Sequence, residues 1–166
     1  MEFVIMAVEN TAKAEELVRD WLNSRGFYDP AASPVTIPEE FHFIIAGKAD
    51  NEISFFVIQP KKLDGIIAVL SNVKLGEKHF EAFTKLDDKG REELLWNLQL
   101  GIIFAPTAYA FNPDIKDGIL KAIQFTKEIY YEDLTRGKLG KAVLDVTKCA
   151  LWTVLFFRQR FGSSME

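Results

Sequence analysis

From Leu134 to Phe161 apolar side chains recur three and four residues apart, which predicts a single helix of about seven turns, roughly 40 Å long at ~1.5 Å per residue. Leu139, Ala142, Val143, Val146, Ala150, Val154 and Phe157 fall on one stripe, with Lys141, Asp145 and Lys148 on the opposite face. Farther along, the face that carried the lysines carries Trp152 and Leu155, so the uncharged run from Cys149 to Phe157 is apolar nearly all round. Such a helix needs cover on two sides.

The same double demand arises earlier. Helical spacing runs from Glu77 to Phe104, with Asp87, Asp88 and Gly90 marking a break into a short and a long segment, and Pro106 ending it. In the long segment Leu94, Leu95, Leu98, Gly101, Ile102 and Ala105 form one stripe, while Trp96, Leu100, Ile103 and Phe104 occupy the remaining arc. By contrast, the first helix, capped by Asn10 or Thr11 and ended by Gly26, is conventionally amphipathic. Ala14, Leu17, Val18, Trp21 and Leu22 share its inner face, with Glu15, Glu16, Arg19 and Asn23 opposite. Asp29 to Glu40, with Pro30, Pro34 and Pro38, reads as a connecting loop and marks no domain boundary.

Alternation takes over at Phe41. Phe41 to Ala46, Ile53 to Gln59 and Ile66 to Val73 are strands joined by short turns, hence antiparallel neighbours, and both faces of the sheet carry apolar side chains. Thr107 to Phe111 and Ile119 to Tyr131 are two more, the second with Ile123, Phe125 and Ile129 on one face and the Asn112 to Gly118 turn before it. Asp133 or Thr135 caps the final helix. Phe3 to Val8 fits a strand or a helical turn equally well. The expected fold is α+β: one twisted antiparallel sheet of about five strands packed by three helices, in the order α-β-β-β-α-β-β-α. Its core should include Leu17, Trp21, Phe43, Phe55, Val57, Leu94, Leu98, Phe125, Val143, Val146 and Phe157.

A chain of 166 residues fits a single domain spanning 1–166 that needs no disulfide or metal staple, and its 14 phenylalanines point to an aromatic-rich interior. A net charge of -4 with mixed signs gives no basic footprint for nucleic acid. The one cysteine, Cys149, cannot form an intrachain disulfide and fits a reducing cytoplasm. Met1 to Val8 lacks a basic leader and is too brief for a signal sequence or a span, so it should stay in the mature protein.

Candidate chemistry is sparse. His42, inside a strand, and His79, at a helix start, have no neighbouring ligand pattern and read as structural or surface residues. Cys149 reads as an inert thiol in an apolar run. Asn112, Asp114, Asp117 and Gly118 lack calcium-loop spacing and suit a hairpin turn. Gly137-Lys138-Leu139-Gly140-Lys141 lacks the Walker spacing and its Ser/Thr, and reads as a solvated helix start with at most weak anion affinity. Asp87, Asp88, Glu92 and Glu93 favour a helix N-terminus, and Tyr109, Phe111, Phe125, Tyr130 and Tyr131 are not interleaved with Arg or Lys as a base-stacking platform would be. No catalytic residue, cofactor site or metal site is assigned.

Phe41-His42-Phe43, Ile58-Gln59-Pro60, Leu95-Trp96, Pro106 and the stretch from Ile129 through Tyr131-Glu132-Asp133 to Thr135 resemble an uncharacterised, mostly archaeal protein family with a type III secretion chaperone-like fold. The resemblance spans roughly Thr11 to Phe161. It implies a twisted antiparallel sheet packed by helices and subunits that commonly pair, and its motifs carry no chemistry. Function is therefore expected to be non-enzymatic: a chaperone-like or adaptor module in the cytoplasm, a homodimer with a polypeptide client, without nucleic acid or stable membrane association. The self-association surface would be Trp96, Leu100, Ile103, Trp152, Leu155 and Phe156. The alternative is a small-molecule-binding protein or enzyme with a pocket between sheet and helices. A membrane contact through Leu151 to Phe161 ranks lowest, since the run is short and only Arg158 and Arg160 would attract anionic lipid.

Overall fold

A computed structural model describes residues 10–112 and 118–162. The Phe3 to Val8 segment and residues 113–117 of the Asn112 to Gly118 turn lie outside the described residues. Helix α1 (Thr11–Arg25) starts where the Asn10 side chain accepts a hydrogen bond from the Lys13 N–H, and it stops at Gly26, whose φ of 69° is the left-handed conformation expected there. Strands β1 (Phe41–Lys48), β2 (Ser54–Pro60) and β3 (Ile66–Lys74) form the expected antiparallel meander. β1 outruns the expected end at Ala46 because Gly47 and Lys48 still pair with Phe55 and Ser54.

Helices α2 (Glu77–Thr84) and α3 (Asp88–Ile102) follow, parted by the break expected near Asp87. Asp87 is the cap of α3, accepting from the Gly90 N–H at 2.7 Å. Then come β4 (Ala108–Asn112), β5 (Ala122–Tyr130), a short 3-10 turn (Tyr131–Asp133) and α4 (Arg136–Phe161). The last strand starts at Ala122, three residues later than the alternation suggested, although Leu120 is already buried. Thr135, not Asp133, caps α4 by accepting from the Lys138 N–H. With the middle helical stretch divided, the described residues hold four α-helices.

The sheet order is β1-β2-β3-β5-β4, every pairing antiparallel. All of the expected core residues are buried except Leu17, which is half-buried at the margin of α1. Phe43, Ile45, Phe55, Val57, Ile67, Val69, Ile123 and Phe125 line one face of the sheet, and α4 lies across it over β3 and β5. The edge of β1 is guarded by the segment after α1. Lys48 N–H donates to Phe27 O at 2.8 Å, Asp29 N–H to Ala46 O at 3.1 Å, and Ala46 N–H to Ser33 Oγ at 3.1 Å. Those backbone groups are thereby closed to a foreign strand.

Two polar networks, centred on Gln59 and Asp145, interrupt the apolar layer. Gln59 is buried, and its Oε1 accepts the Tyr131 hydroxyl at 2.6 Å while its Nε2 donates to Leu63 O at 2.9 Å. Tyr131 Oη also lies 3.1 Å from Thr11 Oγ1, so one network ties α1, β2 and the turn after β5. Asp145 is the second. The pattern along α4 put it on the outer face with Lys141 and Lys148, yet it is buried, because Lys127 of β5 rises from the sheet to meet it and Lys141 closes over it at 2.8 Å.

Burial pushes the Asp145 carboxyl upward, but hydrogen bonds and charge from Lys127 and Lys141 outweigh it and hold the group below its ordinary range. The triad's contribution is therefore complete above the unfolded value of ~3.9 and is lost as the pH falls through the lower folded value. Asp145→Asn should lower stability by about 1 to 3 kcal/mol at neutral pH. Urea midpoints followed down the pH scale should show the gap to wild type closing below about pH 4. A gap independent of pH would mean that Asp145 acts by packing alone.

Candidate interaction surface

Among the described residues, none of the titratable groups weighed in the sequence assembles into a reactive cluster. His42 is exposed on β1, while His79, at the start of α2, donates its Nε2–H to Gly162 O at 2.9 Å and leans on the Phe161 ring. Cys149 is half-buried with the Thr107 hydroxyl 3.8 Å from its sulfur, and burial pushes its thiol above the usual value, so at neutral pH it stays protonated and a poor nucleophile. Among the described residues no three His, Cys, Asp or Glu side chains are placed to hold a metal ion. No helix of the described residues is long and apolar enough to cross a membrane. Gln59 and Tyr131, polar members of the resembling motifs, hydrogen-bond each other inside the fold.

What the structure does concentrate is apolar surface on α3 and α4. The inner stripe of α3, with Leu94, Leu95, Leu98 and Ile102, is buried. Its outer stripe carries Trp96, Leu100 and Ile103, four and then three residues apart, all more than half exposed, with Trp96 at 62%. Phe104, one residue on, is 94% exposed. Leu155 of α4 is exposed as well.

Trp152 and Phe156, the other two residues of the expected self-association surface, also make contacts within the chain. Trp152 is only 36% exposed, because its indole lies on the backbone of α3 at Gly101. A Cβ at that position would come within 2.1 Å of the ring. Glycine there lets the two helices approach, and Phe104, Ala105 and Cys149 line the same small hollow. Phe156 is half-buried and stacks on Trp152 with ring centres 5.4 Å apart. Thus Trp152 and Phe156 fasten α4 to its surroundings, whereas Trp96, Leu100, Ile103 and Leu155 remain open. Phe104 joins them; an apolar residue stranded between a helix end and Pro106 was its signal in the sequence.

Taking about 150 to 250 Å² for a large side chain, the exposed fractions of this group amount to roughly 470 to 790 Å². That approaches the ~800 Å² per partner of a standard protein interface. It exceeds what scattered surface leucines require.

Fold and surface together define an α+β protein with one helix-covered antiparallel sheet and a large exposed apolar helix face. The chain matches the model of a family described as "Uncharacterized conserved protein (DUF2299)" over residues 14–157, and it belongs to that family. The crystal structure of an uncharacterized protein from Methanothermobacter thermautotrophicus has the same fold, with a TM-score of 0.79 at 19% identity over 90% of this chain and 99% of that one. The HopA1-SchA chaperone-effector complex contributes a chain with a TM-score of 0.46 at 12% identity, covering 87% of this chain and 92% of that one. A chain of the ExsC-ExsE complex gives 0.43 at 13% identity, covering 92% and 98%. No curated protein matches the chain.

Proposed function

We propose that this protein is a non-enzymatic polypeptide-binding module of the chaperone or adaptor kind, and that it works as a homodimer joined through the outer face of α3 and the neighbouring end of α4. The observation that carries this reading is the open stripe of Trp96, Leu100, Ile103 and Phe104 beside Leu155, left without cover by any described element. Because each copy carries the same patch, two copies can bury it across a two-fold axis. Burying such side chains yields a gross gain on the order of 10 kcal/mol, against an association cost of ~4 to 15 kcal/mol. The expected pairing is modest in strength. An exposed face of this kind also suits an amphipathic helix of another chain.

Sedimentation velocity across the micromolar range should show a dimer that dissociates on dilution. Leu100→Glu should give monomers at every concentration while leaving the melting temperature near that of wild type, since Leu100 is about half exposed and a carboxylate buried at the interface would be unpaired. Trp152→Glu is the poorer probe, because it would also unseat the indole from Gly101. A wild-type protein that stays a clean, soluble monomer throughout defeats the dimer. Affinity capture from a lysate of the source organism should retain a stoichiometric polypeptide; recovery of none would count against the binding role.

A further inference from the structure

The two ends of α4 present different surfaces. Its C-terminal half carries Trp152 and Leu155, whereas its N-terminal half forms one wall of a cleft of about 520 Å³ against the end of α1 and the β1–β2 loop. The cleft is floored by apolar side chains: Trp21, Phe27 and Val143 are buried, and Leu144 and Leu151 stand along the wall. Trp21 and Phe27 meet edge to face with ring centres 5.6 Å apart, so the floor is rigid. Leu144 is a large aliphatic side chain left nearly half exposed, away from the α3 face.

The rim is charged, and with one sign predominating. Arg25, Arg136 and Lys148 border the cleft, opposed by the single carboxylate of Asp50. None of the three cations forms a salt bridge among the described residues; the Arg25 guanidinium lies over the Phe27 ring at 5.6 Å. The first turn of α4 holds no acidic residue, so the positive end of the helix dipole adds to the same potential. In a chain of net charge -4, this is a local reversal of sign over an apolar floor.

We infer that the α1–α4 cleft seats an acidic amphipathic segment of a client polypeptide, its apolar side chains on Leu144 and Leu151 and its carboxylates on Arg25, Arg136 and Lys148. This deepens the polypeptide-binding reading above and rests on it. The exposed Leu144 and the partly exposed Leu151 on one wall, with cations at the rim, suit a segment that is apolar on one side and acidic on the other. Charge favours an acidic segment over a basic one.

The test is fluorescence anisotropy on the full chain with two labelled amphipathic peptides of equal length, one of leucine and glutamate and one of leucine and lysine. The acidic peptide should bind, weaken as salt is raised, and lose about tenfold or more in affinity to an Arg25→Glu, Arg136→Glu double variant. Both arginines are exposed, so the variant should fold, and Arg25→Gln with Arg136→Gln gives an intermediate loss if charge is the cause. Lys62→Glu, an exposed charge reversal outside the cleft lining, should bind the acidic peptide as wild type does. Equal affinity for the two peptides, or no loss in the double variant, overturns the inference. So does a cleft that takes a simple fatty carboxylate and neither peptide. If a client captured from lysate is held equally well by the double variant, the cleft assignment falls while the polypeptide-binding reading stands.

Discussion

Replacing Trp21 by Ala should cost ~3 to 5 kcal/mol of stability, read from urea or thermal unfolding followed by circular dichroism. Trp21 is 6% exposed, and its ring is the first in a relay of edge-to-face contacts. It meets Phe27 at 5.6 Å, and Phe27 meets the fully buried Phe55 at 6.4 Å, so one series of rings runs from α1 through the post-helix segment into β2. Truncation would open a cavity that three separate elements would have to move to fill. Such a site collapses poorly, which places the cost at the upper end for large-to-small changes. A loss below about 1 kcal/mol would mean that the indole is not part of the core.

Gly47→Ala should be the most damaging change of a single methyl group. Gly47 sits opposite Phe55 in the β1–β2 register, and an added Cβ would come within 2.4 Å of the phenyl ring. Phe55 cannot swing away, being fully buried in the sheet's inner layer. Nor can β1 shift outward: β2 holds it on one side, and on the other Tyr28 bridges to Gly47 itself while Lys48 donates to Phe27. Overpacking of this kind costs ~1 to 3 kcal/mol, measured as a fall in the denaturant midpoint. Combining Gly47→Ala with Phe55→Leu should cost less than the sum of the two single changes, because the smaller side chain vacates the space the methyl needs. Strict additivity would show that the two positions do not press on each other.

The elements were legible in the sequence wherever one periodicity prevailed over a full element. The meander from Phe41 to Val73 alternates throughout, and the stripe from Leu139 to Phe157 keeps helical spacing, so their type and pairing followed from short-range pattern alone. Element ends were less legible, because a strand continues only as long as its partner does. Gly47 and Lys48 extend β1 since Phe55 and Ser54 lie across from them, whereas residues 119 and 120 stay outside the ladder although Leu120 is buried, and backbone bonding to the neighbours resumes at Lys121.

For the candidate surface, the sequence shows which helix faces hold excess apolar side chains but not what lies against them. Trp96, Leu100 and Ile103 remained open; Trp152 found Gly101, a residue whose role depends on a helix far away in the chain. Asp145 illustrates the same limit for charge. Helical spacing places it beside Lys141, and only the register of β5 under α4 supplies Lys127. The basic rim was illegible for a simpler reason: Arg25, Arg136 and Lys148 are dispersed along the sequence and become neighbours when α1 docks on α4.

The place of α4 in that layering also governs the order in which the protein can be made. A ribosome delivers β1, β2 and β3 directly after α1, and their local antiparallel contacts allow them to pair as they emerge. The helix that covers their inner face is translated after all five strands, and α1, although made early, has its hydroxyl partner at Tyr131. Through most of its synthesis the nascent sheet therefore holds Phe43, Phe55 and Val69 toward solvent. Completion of the core waits on the last helix, so a truncated transcript or a stalled ribosome would yield a sticky, half-built sheet, a substrate for the cell's own quality control.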